Sequence, residues 1–360
     1  MKVLTVIGAR PQFVKAAVVS KALREIPGVK EIIVHTGQHF DENMSDIFFT
    51  QMEIPKPDYN LNINSGSHGV MTGTMLAEIE SVIQREKPDW VLVYGDTNST
   101  LAGALAAVKL HVKVAHVEAG LRSFNKKMPE EVNRILTDNI SDVLFCPTKT
   151  AMANLELEGY AQKPAQVVET GDVMYDAVLH FKDKPSDNEV LKDTLAKHSK
   201  FVLATIHRAE NTDSEEKLRN IFSGLEEINQ QIPIVMPIHP RTKQKLAEHN
   251  ISTNIDLIAP VGYVEMLKLI NASSFVVTDS GGLQKEAYFL GRECITAREE
   301  TEWVELVEAG VNTLVGSDTQ AMIKKASQII NSAGIDNQGQ LYGNGSSAKE
   351  IAKFLAGNHE

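Results

Sequence analysis

Apolar residues fall in short blocks: KVLTVIG, EIIVHTG, WVLVYGD, VKVAHVE and DVLFCPT in the first half, then FVLATIH, PIVMPIH, IDLIAP and SFVVTDS in the second. The blocks are rich in β-branched residues and almost wholly apolar, the pattern of strands covered by helices on both faces. Helical stretches such as STLAGALAAVKL separate them. This alternation predicts βαβ units, right-handed crossovers and parallel sheets. A charged stretch, HFKDKPSDNEVLKDTLAKHSK, interrupts the series and carries one short helical segment. It marks the junction of two Rossmann-like, doubly wound α/β halves, placed at residues 1–170 and 171–345. Residues 346–360 read as an amphipathic helix packing back on the first half.

Composition narrows the class. A chain of 360 residues can hold two sizeable cores, and a net charge of −11 argues against nucleic acid or an anionic membrane as partner. Cys146 and Cys294 lie far apart without metal-ligand spacing, as expected of free thiols in a reducing cytoplasm. No apolar run approaches a membrane span, and the opening block reads as a strand rather than a signal peptide. A soluble cytoplasmic enzyme is the expectation, and an anionic substrate would need a local basic pocket.

In open α/β sheets, ligands bind beyond the carboxyl ends of the strands. Arg10, Asp96, Glu118, His207, and the pair Asp279 and Ser280 all follow such blocks, which predicts one cleft between two facing sheets. In GARPQFVK, Pro11 suits the first helical position, while Arg10, Lys15 and the free N–H groups of the helix start suit an anion. The spacing is neither that of a dinucleotide loop nor that of a P-loop. Asp96 and Glu118 are separated by one helix and one strand, so a right-handed crossover sets them side by side. Glu130 follows on the next loop. Clustered acids without a metal signature suggest proton transfer, although each acid alone could serve as a cap or a helix-dipole residue.

In the second half, His207 and His239 could bind phosphate or move a proton, or be satisfied structural residues. VVTDSGGLQKEA runs a strand into Ser280, Gly281 and Gly282 and then a helix, a nest of N–H groups for phosphate. Glu286, about two turns on, suits the hydroxyls of a ribose, or is a solvated acid.

Taken together, GARPQFVK, GDTNSTLAG, HVEAGLRS, PEEVNR, HRAENT, TDSGGLQKEA and YGNGSSA resemble the non-hydrolysing UDP-N-acetylglucosamine 2-epimerases, in order over nearly the whole chain. The resemblance implies a GT-B architecture, a UDP-sugar substrate, no metal or other cofactor, a homodimer, and a place in bacterial surface polysaccharide synthesis such as lipopolysaccharide. It implies catalytic positions at Asp96, Glu118, Glu130 and His207. It implies nucleotide binding at Arg10, Lys15, Ser280, Gly281, Gly282 and Glu286, with His239 a further substrate-binding candidate. UDP would be eliminated to a 2-acetamidoglucal and added back after the carbon-2 proton is replaced. A GT-B glycosyltransferase would share the fold and nucleotide site, and a non-catalytic sensor would not need the three acids.

The chain departs from the family pattern at Gln12 (usually Glu), Ala209 (usually Arg) and Trp303 (usually Arg). These departures resemble the branch acting on UDP-2,3-diacetamido-2,3-dideoxyglucuronate, where loss of an acid at position 12 would suit an extra substrate carboxylate.

Overall fold

The computed structural model describes residues 1–38, 52–331 and 341–357. The chain runs β1 (Lys2–Ile7), α1 (Arg10–Arg24), β2 (Lys30–His35), β3 (Tyr59–Asn60), α2 (His68–Glu86), β4 (Trp90–Tyr94), α3 (Asn98–Lys109) and β5 (Lys113–Val117). It continues through α4 (Pro129–Ile140), β6 (Val143–Cys146), α5 (Lys149–Leu157), β7 (Gln166–Glu169), α6 (Val173–Phe181), α7 (Glu189–Lys197), β8 (Val202–Thr205), α8 (Ala209–Thr212) and α9 (Glu215–Asn229). Then follow β9 (Ile234–Pro237), α10 (Pro240–Glu248), β10 (Asp256–Ile258), α11 (Tyr263–Ala272), β11 (Val276–Thr278), α12 (Gly281–Phe289), β12 (Cys294–Thr296), α13 (Val304–Glu308), β13 (Asn312–Leu314), α14 (Thr319–Ile330) and α15 (Ser347–Leu355). Two compact units result, dividing after Ala177 inside α6, with α15 belonging to the first.

The first unit holds a seven-stranded sheet in the order β3-β2-β1-β4-β5-β6-β7, every pairing parallel. The strand order reverses between β1 and β4, so a crevice opens beyond their carboxyl ends. Helix α3 crosses one face there, and its small residues allow a close approach. A side chain on Gly103 would press on Val6 and Val93, its Cβ 3.2 Å from a methyl of each. Leu4, Val6, Val34, Met75, Ile79, Val91 and Val93 form the core with the α3 alanines. Helix α1 packs with α15. Asp176 accepts hydrogen bonds from the N–H groups of Ser347 (3.2 Å) and Ala348 (2.8 Å), and so seats the start of α15. Phe354 then meets Phe145 edge-on, with centroids 5.2 Å apart.

The second unit has the order β10-β9-β8-β11-β12-β13, again all parallel, with its reversal between β8 and β11. Leu218, Ile221, Phe222, Leu225 and Ile228 of α9 pack on β8 and β9 with Met322, Ala326 and Ile329 of α14. Both units are thus the doubly wound α/β folds expected from the sequence.

All nine apolar blocks form strands. Four further strands, β3, β7, β12 and β13, had no such block, because they are only two to four residues long and lie at or next to a sheet edge. Cys146 and Cys294 are buried free thiols. Among the described residues, no helix is long and apolar enough to cross a membrane, and no group of three or more His, Cys, Asp or Glu side chains could hold a metal ion.

Candidate active site

The turn after β1 is tight for a steric reason. A Cβ on Gly8 would collide with the hydroxyls of Thr36 and Ser99, so only glycine fits. Ala9 caps α1, with Pro11 in its first turn. The Gln12 carboxamide is 2% exposed and tied at both ends. Its Oε1 accepts from the N–H groups of Gly8 (2.8 Å) and Ala9 (2.9 Å). Its Nε2 donates to the Tyr94 carbonyl (2.8 Å) and to the Thr97 and Thr100 hydroxyls (3.0 and 2.9 Å). Gln12 therefore stitches the turn after β1 to the turn after β4, across the point where strand order reverses.

One turn further along α1, Lys15 is buried and forms an ion pair with Glu118, itself buried at the end of β5. Glu118 has φ +70°, a left-handed conformation that costs a non-glycine residue and is common at functional sites. Its turn is pinned from β6, where the Phe145 carbonyl accepts from the Glu118 and Ala119 N–H groups, both at 3.1 Å. Gly95, at φ +63°, leaves room for the pair, since a Cβ there would lie 3.3 Å from Glu118 Oε2 and 3.6 Å from Lys15 Nζ. The Arg10 side chain lies outside the described residues.

Asp96 follows Gly95 and is half-buried. Arg134 of α4 donates to its Oδ2 at 2.5 Å, and Asn133 donates to its carbonyl at 2.9 Å. The helix cap is its neighbour Thr97, whose hydroxyl accepts from Thr100 N–H, so the Asp96 carboxylate is left for other work. Arg134 also donates to Glu131 at 2.5 Å. The buried Glu131 carboxylate in turn accepts from the Ser123 and Phe124 N–H groups and shapes the loop before α4. Glu130 stands exposed in the first turn of α4. It is Glu131, beside it, that joins the Asp96–Arg134 knot.

In the second unit, Thr205 and Thr278 link the ends of β8 and β11 through their hydroxyls at 2.6 Å. Asp279, fully buried, accepts from the N–H groups of His207 (3.0 Å) and Arg208 (2.9 Å) and from the Asn211 amide (3.1 Å). It anchors the loop that carries His207. The His207 imidazole is half-buried and stacks on His239, with centroids 5.6 Å apart. Burial holds its pKa below the usual histidine value; Asp279 opposes that shift, while His239 and Arg208 reinforce it. His239 caps α10, where its Nδ1 accepts from Arg241 N–H at 3.2 Å, and Nε2 is left as its donor.

Ser280 sits at the N-cap of α12 without using its hydroxyl as a cap, and Gly281 and Gly282 open the helix. Glu286 is buried two turns on. Trp303 donates its indole N–H to the Gly281 carbonyl at 2.9 Å, and Lys285 places its ammonium 3.9 Å from the centre of the indole. Trp303 therefore braces the glycine turn from behind.

The description "UDP-N-acetylglucosamine 2-epimerase" belongs to the family model that matches residues 21–356. A UDP-2,3-diacetamido-2,3-dideoxy-D-glucuronate 2-epimerase from Pseudomonas aeruginosa is 55% identical, with 99% of each chain covered. The UDP-N-acetylglucosamine 2-epimerase of Methanocaldococcus jannaschii, solved with UDP-N-acetylglucosamine and UDP, superposes with a TM-score of 0.89 at 43% identity over 99% of each chain. The Neisseria meningitidis enzyme bound to UDP-N-acetylglucosamine gives a TM-score of 0.88 at 34% identity, covering 99% of this chain and all of that one. The chain belongs to the UDP-N-acetylglucosamine 2-epimerase family.

As a member of that family it is an isomerase, and its acids can be read accordingly. Asp96 and Glu118 end neighbouring strands, each against its own cation. Sequence reasoning missed Arg134 and Glu131, although their spacing of three on α4 puts them on one helix face. It also gave no role to His116, Asp138 and Arg122 behind the site. Gln12 requires a correction. The sequence reading set its neutral side chain beside a bound anion, whereas its polar atoms are spent on the two turns. The kinship with the diacetamidoglucuronate epimerase rests on overall identity, and the charge argument at position 12 does not contribute to it.

Proposed function

We propose that this protein is a non-hydrolysing 2-epimerase of UDP-2-acetamido sugars, with UDP-2,3-diacetamido-2,3-dideoxyglucuronate its preferred substrate. The reading is carried by the pairing of Asp96 with Arg134 and Glu118 with Lys15 at adjoining strand ends. Two carboxylates held in this way can take and return one proton on opposite faces of a sugar carbon. One carboxylate removes the carbon-2 proton as the C1–O bond breaks, and the electron pair of that bond leaves with UDP. The resulting 2-acetamidoglucal takes a proton on its other face, and UDP re-adds at carbon 1. Atoms and charge balance without an oxidant.

In this reading the second unit holds UDP, with phosphate on the Ser280–Gly282 turn and ribose at Glu286. His207 and His239 are the second unit's further candidates for the diphosphate, and Arg10 and Glu130 are candidates of the first unit besides its two acids. The preference among sugars follows the 55% identical relative, which is named for that substrate. A cytoplasmic homodimer supplying precursors of a bacterial surface polysaccharide, such as lipopolysaccharide, fits the same reading. The test is proton NMR in D2O with the diacetamidoglucuronate and the plain N-acetylglucosamine nucleotides side by side. Carbon-2 exchange with inversion supports the function, and faster exchange on the former supports the preference. Absence of exchange on both would refute the function, and equal or faster exchange on the plain sugar would refute the preference.

A further inference from the structure

Behind the two acids lies a buried polar chain that touches neither of them directly. His116, in β5, is fully buried. Its Nε2 lies 2.7 Å from the Gly95 carbonyl and its Nδ1 2.7 Å from Asp138 Oδ1. A carbonyl oxygen only accepts, so Nε2 donates to Gly95. Asp138, on α4 and also fully buried, accepts from Arg122 Nη1 at 2.7 Å and from Gly120 N–H at 3.2 Å through its other oxygen. Arg122 is closed off by a bidentate pair with Glu158, at 2.6 and 2.8 Å. Burial works against the charges of Asp138 and Arg122, yet the contacts prevail: the Asp138 pKa lies below its ordinary value and that of Arg122 above.

What this chain grips is the backbone on either side of the reaction groups. Gly95, whose carbonyl receives His116, precedes Asp96 and is held at φ +63°. Gly120, whose N–H reaches Asp138, lies two residues after Glu118, held at φ +70°. One carboxylate thus sets both left-handed turns, directly at Gly120 and through His116 at Gly95. Buried polar groups of this kind are costly unless fully paired, and a fully paired network rigidifies the backbone that it holds. We propose that His116 and Asp138 are positioning residues that fix the spacing of the Asp96 and Glu118 carboxylates. The inference rests on the proposed epimerase chemistry only for its kinetic readout.

Two near-isosteric variants separate the contacts. In His116→Gln the amide reaches toward Gly95, as Nε2 does; in His116→Asn it reaches only toward Asp138, as Nδ1 does. Carbon-2 exchange should fall about 10²-fold in the Asn variant, the scale of a misplacement near 1 Å, while the Gln variant stays within about tenfold of wild type. UDP affinity by calorimetry should change less than about threefold in both. Amide hydrogen exchange across residues 94–97 should accelerate in the Asn variant and not in the Gln variant, whatever reaction the protein catalyses. Equal exchange kinetics in the two variants, or loss of turnover that tracks UDP affinity, would overturn the inference. If wild type itself shows no carbon-2 exchange, the proposed function fails, and amide exchange alone decides the positioning role. Should the Asn variant not fold, Asp138→Asn replaces it, with the same expected loss against the Gln variant and the same overturning result.

Discussion

Lys15 and Glu118 are 103 positions apart and meet as a buried ion pair beside Gly95. The contact joins the helix after β1 to the strand end two places along the sheet, and puts a cation against an acid proposed to move a proton. Glu118→Gln should lower carbon-2 exchange by about 10²-fold or more while leaving UDP binding nearly intact. Lys15→Met removes a buried cation from beside the buried Glu118 carboxylate and should cost about 3 kcal/mol of stability in addition to activity. Chemical denaturation and NMR exchange measure the two effects separately. Retention of normal exchange in Glu118→Gln would make Glu118 a scaffold residue.

Asp96 is a second, separable test. Its carboxylate does not cap α3, which Thr97 does, so Asp96→Asn should leave the helix start unchanged. We expect turnover to fall about 10²-fold and the melting temperature to shift by only a few degrees. A large stability loss with retained turnover would contradict the catalytic role.

The strand ends that carry Asp96, Glu118 and His207 were legible because β4, β5 and β8 are buried on both faces and read as apolar blocks. A general rule for parallel sheets then set Asp96 and Glu118 side by side at neighbouring strand ends of the first unit, and His207 at a strand end of the second. Their partners were not legible. Arg134 reaches Asp96 from a helix 38 positions away, and Lys15 reaches Glu118 across 103. Such pairs depend on how helices settle on the sheet, which local pattern does not encode. Gln12 illustrates the converse: its place in the turn after β1 was legible, but only the packing of two turns revealed which atoms it satisfies.

Gln12→Glu should therefore act on stability. A carboxylate in that place would face the Tyr94 carbonyl, where the amide now donates at 2.8 Å. Tyr94 keeps the Thr100 hydroxyl as a donor at 2.6 Å, so the loss, about 1–3 kcal/mol, comes from burying a carboxylate oxygen against a carbonyl with no proton between them. Burial next to a carbonyl favours the protonated acid in the folded state, so the loss should deepen as pH rises. Urea unfolding at several pH values checks this, and an unchanged midpoint would show that position 12 tolerates charge.

Trp303 offers a readout in the second unit. Trp303→Phe removes the donor to the Gly281 carbonyl but keeps a ring against Lys285. If that turn holds the diphosphate, UDP affinity should weaken about tenfold, equivalent to about 1.4 kcal/mol. In the wild type, where Trp90 is the other tryptophan, indole fluorescence should change on UDP addition, and the variant should lose most of that change. Unaltered affinity would separate the indole from the nucleotide site.

Asp176 predicts a pH dependence of stability in the first unit. Burial raises its pKa to about 6, against the lowering effect of the Ala348 and Ser347 N–H groups. A carboxylate with a folded-state pKa above its unfolded value binds more protons when folded. Its contribution is therefore fully present below the unfolded value and is lost as pH rises through about 6. The group should make the protein less stable at pH 7 than at pH 4, by about 2 kcal/mol, before other groups are counted. Asp176→Asn keeps one acceptor for the start of α15 and removes the titration. The stability difference between wild type and variant should thus change with pH between about 4 and 6 and be flat above about 7. Unfolding free energies across that range test it, and a difference independent of pH would mean that Asp176 titrates at an ordinary value.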